Sequence, residues 1–378
     1  MSVDPITAIH PGSGRRERPR AHLDSDAPAL DLSGRWRFQF SAEPSLAPVD
    51  AHDPGLDDTG WDAIDVPSHW VLQRPGEWGS PSYTNVVYPF PVEPPNVPDA
   101  NPTGDYRLAF DVAEGWLADG ARAVLRFGGV ESVAIVHLNG VEVGVVRGSR
   151  LPQELDVTPE LVTGANLLHV RVHQWSAMSY IEDQDQWWLP GIFREVTLLA
   201  RPAGGLDDVW LSADYDPATG AGALRPELRG GYPVRLACAE LGLDLTLDES
   251  CPELLVGAVE PWSADRPRLY DVTLTNAVET VQLRVGFRRV EIVGDAWLVN
   301  GRRLRLRGVN RHEFHQETGR VFNAEQTWQD LLTMKRHHLN AIRTSHYPPH
   351  PDLLAMTDEL GFWAVSYTHL TLPTNREV

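Results

Sequence analysis

The densest run of chemically capable side chains is Glu182-Asp183-Gln184-Asp185-Gln186-Trp187-Trp188, which leads into Leu189-Pro190-Gly191-Ile192-Phe193-Arg194. Three carboxylates, two amides and two indoles share one short, non-periodic strip. Ionised carboxylates accept hydrogen bonds from sugar hydroxyls or hold cations, and indole faces pack on the C–H surface of a sugar ring. The same composition also suits a solvated acidic loop whose tryptophans are buried. A second group is Tyr83-Thr84-Asn85-Val86. Asn85 offers a short amide that both donates and accepts, which fits a pair of sugar hydroxyls or a turn that closes a loop. A third group is histidine-based: His312 ends one strand-like run, His346 follows another, and Arg343 lies on that second run. Imidazoles at such positions hold a hydroxyl or stabilise a transition state, and an arginine orients a neighbouring carboxylate.

Other chemistries do not fit the spacing. His312-Glu313-Phe314-His315 places its histidines at i and i+3 in a strand-to-loop context, whereas a zinc protease helix needs them at i and i+4. His337 and His338 are adjacent on a predicted helix and face apart. Gly128-Gly129 lacks the spacing and following helix of a phosphate-binding loop.

The elements that must carry these groups follow from periodicity. Leu304 and Leu306 alternate with arginines and predict a strand running into Gly308-Val309-Asn310-Arg311-His312. A helix follows, with Asn323 as N-cap and Gln326 completing a capping box. Trp328, Leu331, Leu332 and Leu339 fall on one face. A short strand, 341–344, comes next, then a second helix carrying Leu353, Leu354 and Leu360 and stopped by Gly361, then a third strand at 362–365. Alternating strands and helices imply a parallel sheet with chemistry at the strand C-termini. Upstream the style is all-β. Short alternating runs such as 36–40, 106–110, 123–127 and 167–172, separated by Gly, Pro and Asp turns, predict a jelly-roll β-sandwich over 30–200. A shorter β block over 201–290 suits an immunoglobulin-like sandwich. The fold class is therefore mostly β plus α/β, closing on an incomplete (β/α)8 TIM barrel over 291–365. The polar, Pro/Arg-rich residues 1–29 are expected to form a flexible lead-in.

Composition narrows the partners. A net charge of −19 over 378 residues argues against nucleic acid or an anionic membrane surface. Two cysteines, Cys238 and Cys251, exclude a disulfide framework and suit a reducing compartment. There is no secretory start, no apolar run of membrane-spanning length, and Asn101 is followed by Pro102, which removes a glycosylation acceptor. The expectation is a cytoplasmic protein with no membrane partner.

The segments YTNVVYPFPVEPPNVPDANPTGDY, SYIEDQDQWWLPGIFREV, PWSADRPRLY, VGFRRVEI, RGVNRHEFH and AIRTSHYPPHP together resemble glycoside hydrolase family 2, and within it the large bacterial β-galactosidases. The likeness runs from about Asp31 to Ala364. It implies retaining hydrolysis of terminal β-D-galactose from β-galactosides such as lactose, with Mg²⁺ and Na⁺ as cofactors and a homo-oligomer, often a tetramer. Position by position, Asn85 matches a galactose-binding residue and Asp185 one that binds substrate and sodium. His312 and His346 match transition-state stabilisers, and Arg343 an arginine that supports the nucleophile. Other β-glycosidases of the family (glucuronidase, mannosidase) and a non-catalytic carbohydrate-binding module are the alternatives.

The sequence departs from that pattern at its C-terminal end. Retaining hydrolysis uses two carboxyl groups about 5 Å apart, one as acid/base and one as nucleophile. In the family both glutamates, and the Mg²⁺ ligands beside the acid/base, come from later barrel strands than those present here. The chain alone is therefore expected to be an inactive fragment. Residues 366–378 do not resemble the family, and VSYTHL at 365–370 resembles a translated transposon end of the kind used as a sequencing adapter, so an artefactual tail is expected.

Overall fold

The computed structural model describes residues 4–19, 22–85 and 87–366. The expected artefactual tail lies outside the described residues from 367 onward. Two compact units emerge: Met1–Pro19, Pro28–Arg201 and Glu313–Phe322 form the first, and Arg20–Ala27, Pro202–His312 and Asn323–Val378 the second.

The first unit is built on a seven-stranded antiparallel sheet. Its order is Gly12–Gly14, Val141–Arg147, Val133–Leu138, Gly164–His173, Thr103–Val112, Gly34–Ser41 and Asp62–Val66. A five-stranded sheet runs Arg16–Glu17, Gln153–Asp156, Arg122–Phe127, Val196–Arg201 and Ala29–Asp31. Period-two patterning sets the layers. In Gly164–His173, Leu168, Val170 and Val172 point into the core with Trp36, Phe38 and Phe127. The alternate residues put His169 and Arg171 on the opposite face, where both bind Asp105 at 2.8 Å. A β-sandwich is thus present, as the fold class expected. The expected flexible lead-in is not: Gly12–Gly14 and Arg16–Glu17 extend the two sheets, and Asp24–Ser25 pairs with Thr280–Val285 in the second unit. Polar sequence misled here because edge strands need backbone pairing more than apolar side chains.

In the second unit, Leu206–Tyr215, Ala221–Gly230 and Leu254–Ala258 form one sheet. Leu243–Leu247, Val234–Cys238, Tyr270–Thr275, Thr280–Val285 and Asp24–Ser25 form another. Their shared core holds Leu224, Leu236, Leu274 and Phe287. The same unit contains a small antiparallel sheet (Val290–Val293, Ala296–Val299, Arg302–Arg303) and a parallel one (Gly308–Arg311, Ala341–Thr344, Trp363–Val365).

The helices Ala324–Arg336 and Pro351–Leu360 connect the parallel strands. Asn323 accepts from the Gln326 amide at 2.9 Å, as the cap pattern predicts. The Gln326 side chain instead reaches Asp330 at 3.5 Å, so only half the capping box forms. Gly361 ends the second helix at φ 78, where a Cβ would meet Ala264 O at 2.3 Å. The first parallel strand starts at Gly308, not at Leu304. The Asn340 side chain accounts for the late start: it bonds Arg305 O at 2.9 Å and Arg307 N at 2.7 Å, taking backbone groups a neighbouring strand would use. Among the described residues no helix is long and apolar enough to cross a membrane.

Candidate functional site

The acidic, indole-rich strip divides into an inward and an outward half. Glu182 turns inward: its carboxylate accepts from Ser149 N at 2.9 Å and Ser149 Oγ at 2.5 Å, and Arg150 lies 3.7 Å away. Burial pushes its pKa up, as it does for Asp183. Trp188 is also interior, packed edge-on to Trp175 at 5.2 Å and beside Phe90. Asp185 and Trp187 turn outward. Pairing with the Ser82 segment draws Trp188 inward, while Trp187 beside it stays 40% exposed.

Asp185 accepts a hydrogen bond from the Tyr83 hydroxyl. That bond raises the Tyr83 pKa, so the phenol remains a donor. The Tyr83 and Trp187 rings lie 5.4 Å apart, 47% and 40% exposed. The two loops are stitched by Trp188 N to Ser82 O at 2.8 Å and Trp188 Nε1 to Thr84 Oγ1 at 3.1 Å. Asn85 is exposed, at φ 53, in a turn closed by Val87 N to Thr84 O at 3.1 Å. Asparagine tolerates this left-handed conformation through its short polar side chain. The turn reading of Asn85 describes its backbone, and its side chain lies on an exposed residue.

What fixes the strip is a buried charged cluster that sequence reasoning missed. Arg320, 2% exposed, comes from Glu313–Phe322 and donates to Trp187 O at 2.7 Å, to Leu189 O at 3.1 Å and to the Glu131 carboxylate. Arg150 reaches Glu131 at 3.3 Å, and Arg194 reaches Glu313 at 3.1 Å. His69 completes the clamp. Its Nδ1 lies 3.3 Å from Pro190 O and its Nε2 accepts from Arg320 N at 3.1 Å, which assigns a neutral tautomer with the proton on Nδ1. Burial and then the Arg320 charge hold its pKa well below the usual imidazole value. Gly319 is required beside it: at φ +64 a Cβ would lie 2.6 Å from the His69 ring.

The remaining residues predicted from sequence lie in the second unit. His312 follows the last residue of Gly308–Arg311, and His346 stands two residues beyond Ala341–Thr344. These are C-terminal ends of neighbouring parallel strands, in register Arg311 to Thr344. The two rings meet edge-to-face with centroids 5.4 Å apart, and Tyr347 lies 6.4 Å from His312. Arg343 is exposed on the middle strand and approaches Asn310 Oδ1 at 3.5 Å. The structure thus brings together Asp185 with Tyr83 and Trp187, His312 with His346, and Arg343 with Asn310.

For a cation, Asp183 Oδ1 and Gln186 Oε1 are buried oxygens with no hydrogen-bond partner, on the strip that carries Asp185. Oxygen donors of this kind suit a hard cation. Among the described residues no group of three or more His, Cys, Asp or Glu could hold a metal ion. Any cation on the strip therefore relies on amide and carbonyl oxygens as well as carboxylate.

Comparison with known proteins gives a consistent result. Residues 30–202 match the sugar binding domain of glycosyl hydrolases family 2, and residues 290–372 match the TIM barrel domain of the same family. A β-galactosidase of Arthrobacter sp. (strain B7) is 52% identical over 97% of this chain and 37% of its own length. The β-galactosidase of Pectobacterium atrosepticum is 38% identical over 98% of this chain and 39% of its own length. The chain thus spans under two-fifths of these curated relatives. Among solved structures, a Ruminococcus gnavus β-glucuronidase in complex with D-glucuronic acid aligns with TM-score 0.74 at 22% identity, covering 93% of this chain and 62% of that one. A Bifidobacterium dentium β-glucuronidase complexed with coumarin-3-O-glucuronide aligns at 0.73 and 20%, covering 92% and 62%. At such identities these two show the fold alone. Both domain matches and the curated relatives agree with the β-sandwich and barrel-type strands described above, and the chain belongs to glycoside hydrolase family 2.

Proposed function

We propose that this chain is the substrate-gripping part of a β-galactosidase, a retaining hydrolase of terminal β-D-galactose residues in galactosides such as lactose. The observation that carries the reading is the exposed Tyr83–Asp185 hydrogen bond set against the faces of Tyr83 and Trp187. A carboxylate acceptor beside aromatic surface suits a neutral sugar with one polar edge and one C–H face. Asn85 adds a second polar contact from the same loop. His312 and His346 stabilise the transition state at the strand ends, Arg343 orients the nucleophile, and Na⁺ rests on Asp185. The acid/base, the nucleophile and the Mg²⁺ ligands belong to parts of the fold that this chain does not contribute, so the chain alone does not turn over substrate. The whole enzyme is a homo-oligomer, a tetramer, of the cytoplasm; both cysteines here are free thiols.

The β-glucuronidase alternative is disfavoured by charge. A glucuronide would bring its carboxylate toward Asp185, and like charges in contact repel. Titrating the chain with methyl β-D-galactoside and methyl β-D-glucuronide, followed by tryptophan fluorescence, tests the reading. Saturable binding of the galactoside, weaker binding of the glucuronide, and a loss of at least about tenfold on Asp185→Ala are expected, roughly the cost of a charged hydrogen bond. Equal binding of both sugars, or no effect of Asp185→Ala, would refute it. Release of nitrophenol from a chromogenic galactoside by the chain alone would refute the assignment of the missing carboxylates.

A further inference from the structure

The second unit contains a cavity of about 1290 Å³ whose wall includes Arg302, Arg303, Arg305 and Arg307. Arg266 and Lys335 add to the positive side, against Glu260 and Asp265. Some other arginines of this unit are matched to carboxylates, such as Arg235 to Asp244 at 2.7 Å and Arg289 to Asp214 at 2.6 Å. The chain has acid to spare, with 52 Asp and Glu against 33 Lys and Arg. Yet no described carboxylate forms a salt bridge with Arg266, Arg302, Arg303, Arg305 or Arg307, although Glu260 and Asp265 share the wall. Five guanidinium groups and Lys335 against two carboxylates on one wall, in a chain of net charge −19, is a local inversion of the field.

The run is also held still. Asn340 bonds Arg305 O at 2.9 Å and Arg307 N at 2.7 Å, Asn340 N bonds Arg307 O at 2.9 Å, and Leu304 N bonds Trp297 O at 2.7 Å. Arg303, Arg305 and Arg307 alternate with Leu304 and Leu306, so their backbone positions are set before any ligand arrives. The Lys335 ammonium donates to Ala264 O at 2.9 Å and Gly361 O at 3.1 Å, which fixes another part of the lining. Guanidinium forks match phosphate oxygens in pairs, and several together favour a ligand with several charges over a single carboxylate.

We propose that this cavity is a binding site for a multiply charged phosphate anion of the di- or triphosphate class, separate from the sugar site and independent of the galactoside reading. The probe is inorganic tripolyphosphate, titrated into the 378-residue chain by calorimetry at low salt. The expected result is single-site saturable binding that weakens steeply with added salt, with orthophosphate at least about tenfold weaker. Arg305→Glu/Arg307→Glu lowers tripolyphosphate affinity by more than about tenfold, while Arg35→Glu, at an exposed arginine of the first unit, leaves it unchanged. As a measurement on unmutated protein, tripolyphosphate slows phenylglyoxal modification of Arg302, Arg303, Arg305 and Arg307. No saturable binding, binding indifferent to the double reversal, or absence of footprint protection would each overturn the proposal. So would binding of a long polyanion such as heparin with none of tripolyphosphate, since that marks a diffuse basic surface.

Discussion

Replacing Arg320 with Met removes the residue that ties Glu313–Phe322 to the strip carrying Trp187. Arg320 and Glu131 are 2% and 3% exposed, so the guanidinium and the carboxylate meet away from water. Removing one partner of such a pair costs about 3–5 kcal/mol, because the survivor is left charged and buried. Glu131 keeps Arg150 at 3.3 Å, which favours the lower end. Trp187 O and Leu189 O lose their donors too, at about 1–3 kcal/mol for each buried group left unmade. These terms overlap, since a water admitted by the shorter side chain serves both. The expectation for Arg320→Met is therefore a loss of about 3–4 kcal/mol, a large share of the 5–15 kcal/mol typical of a domain. Urea unfolding followed by far-UV circular dichroism reads it as a lower midpoint at unchanged slope. Arg35→Met, at a pair whose side chains are 62% and 59% exposed, is the control and should cost under about 0.5 kcal/mol. Arg320→Met/Glu131→Leu should recover part of the loss, because the Glu131 carboxylate is no longer stranded and the buried Arg150 keeps Glu182 at 3.7 Å. A loss below about 1 kcal/mol for Arg320→Met, or a double variant no better than the single, would refute the clamp argument.

Two further outcomes follow from the same physics. Burial, then the neighbouring His169 and His52, lowers His137 to about 4, and burial lowers His173 to about 4. Free imidazole titrates near 6.5, so the unfolded chain binds these protons first; stability is full above about pH 6.5 and falls as pH drops toward about 4. Urea midpoints measured between about pH 7 and pH 5 should decline, and a flat profile would contradict the assignment. Gly361→Ala places a side chain at φ 78 and a Cβ 2.3 Å from Ala264 O, which should cost at least about 1–3 kcal/mol and lower the melting temperature of the second unit; an unchanged melting temperature would show that the helix end relaxes freely.

The parts legible in the sequence are those governed by neighbours a few residues away. Asn323, Gly361 and the apolar period of Ala324–Arg336 each act within one or two helical turns. Both caps fall where the pattern placed them, as do Trp328, Leu331 and Leu332, whereas Leu339, expected on the same helical face, lies beyond the helix end at Arg336. The histidines were legible for a related reason: strand, helix, strand fixes both as ends of parallel strands, and adjacency of the strands brings the rings within 5.4 Å. What sequence could not supply was partner choice across the chain. Leu304 and Leu306 carry a strand pattern, but Asn340, far along the sequence, takes the backbone groups. Arg320 reads as an ordinary surface arginine until Glu131, 189 positions away, turns out to be its counter-charge. Trp187 and Trp188 are adjacent, yet one is 40% exposed and the other 5%. Pairing with Ser82 makes Trp188 core, and with Glu182 spent on Ser149 the outward part of the strip is Asp185 and the exposed Trp187 ring. The inward and outward parts of the strip, like the clamp that holds it, are set by partners far along the chain: Ser149 for Glu182, Ser82 for Trp188 and Glu131 for Arg320.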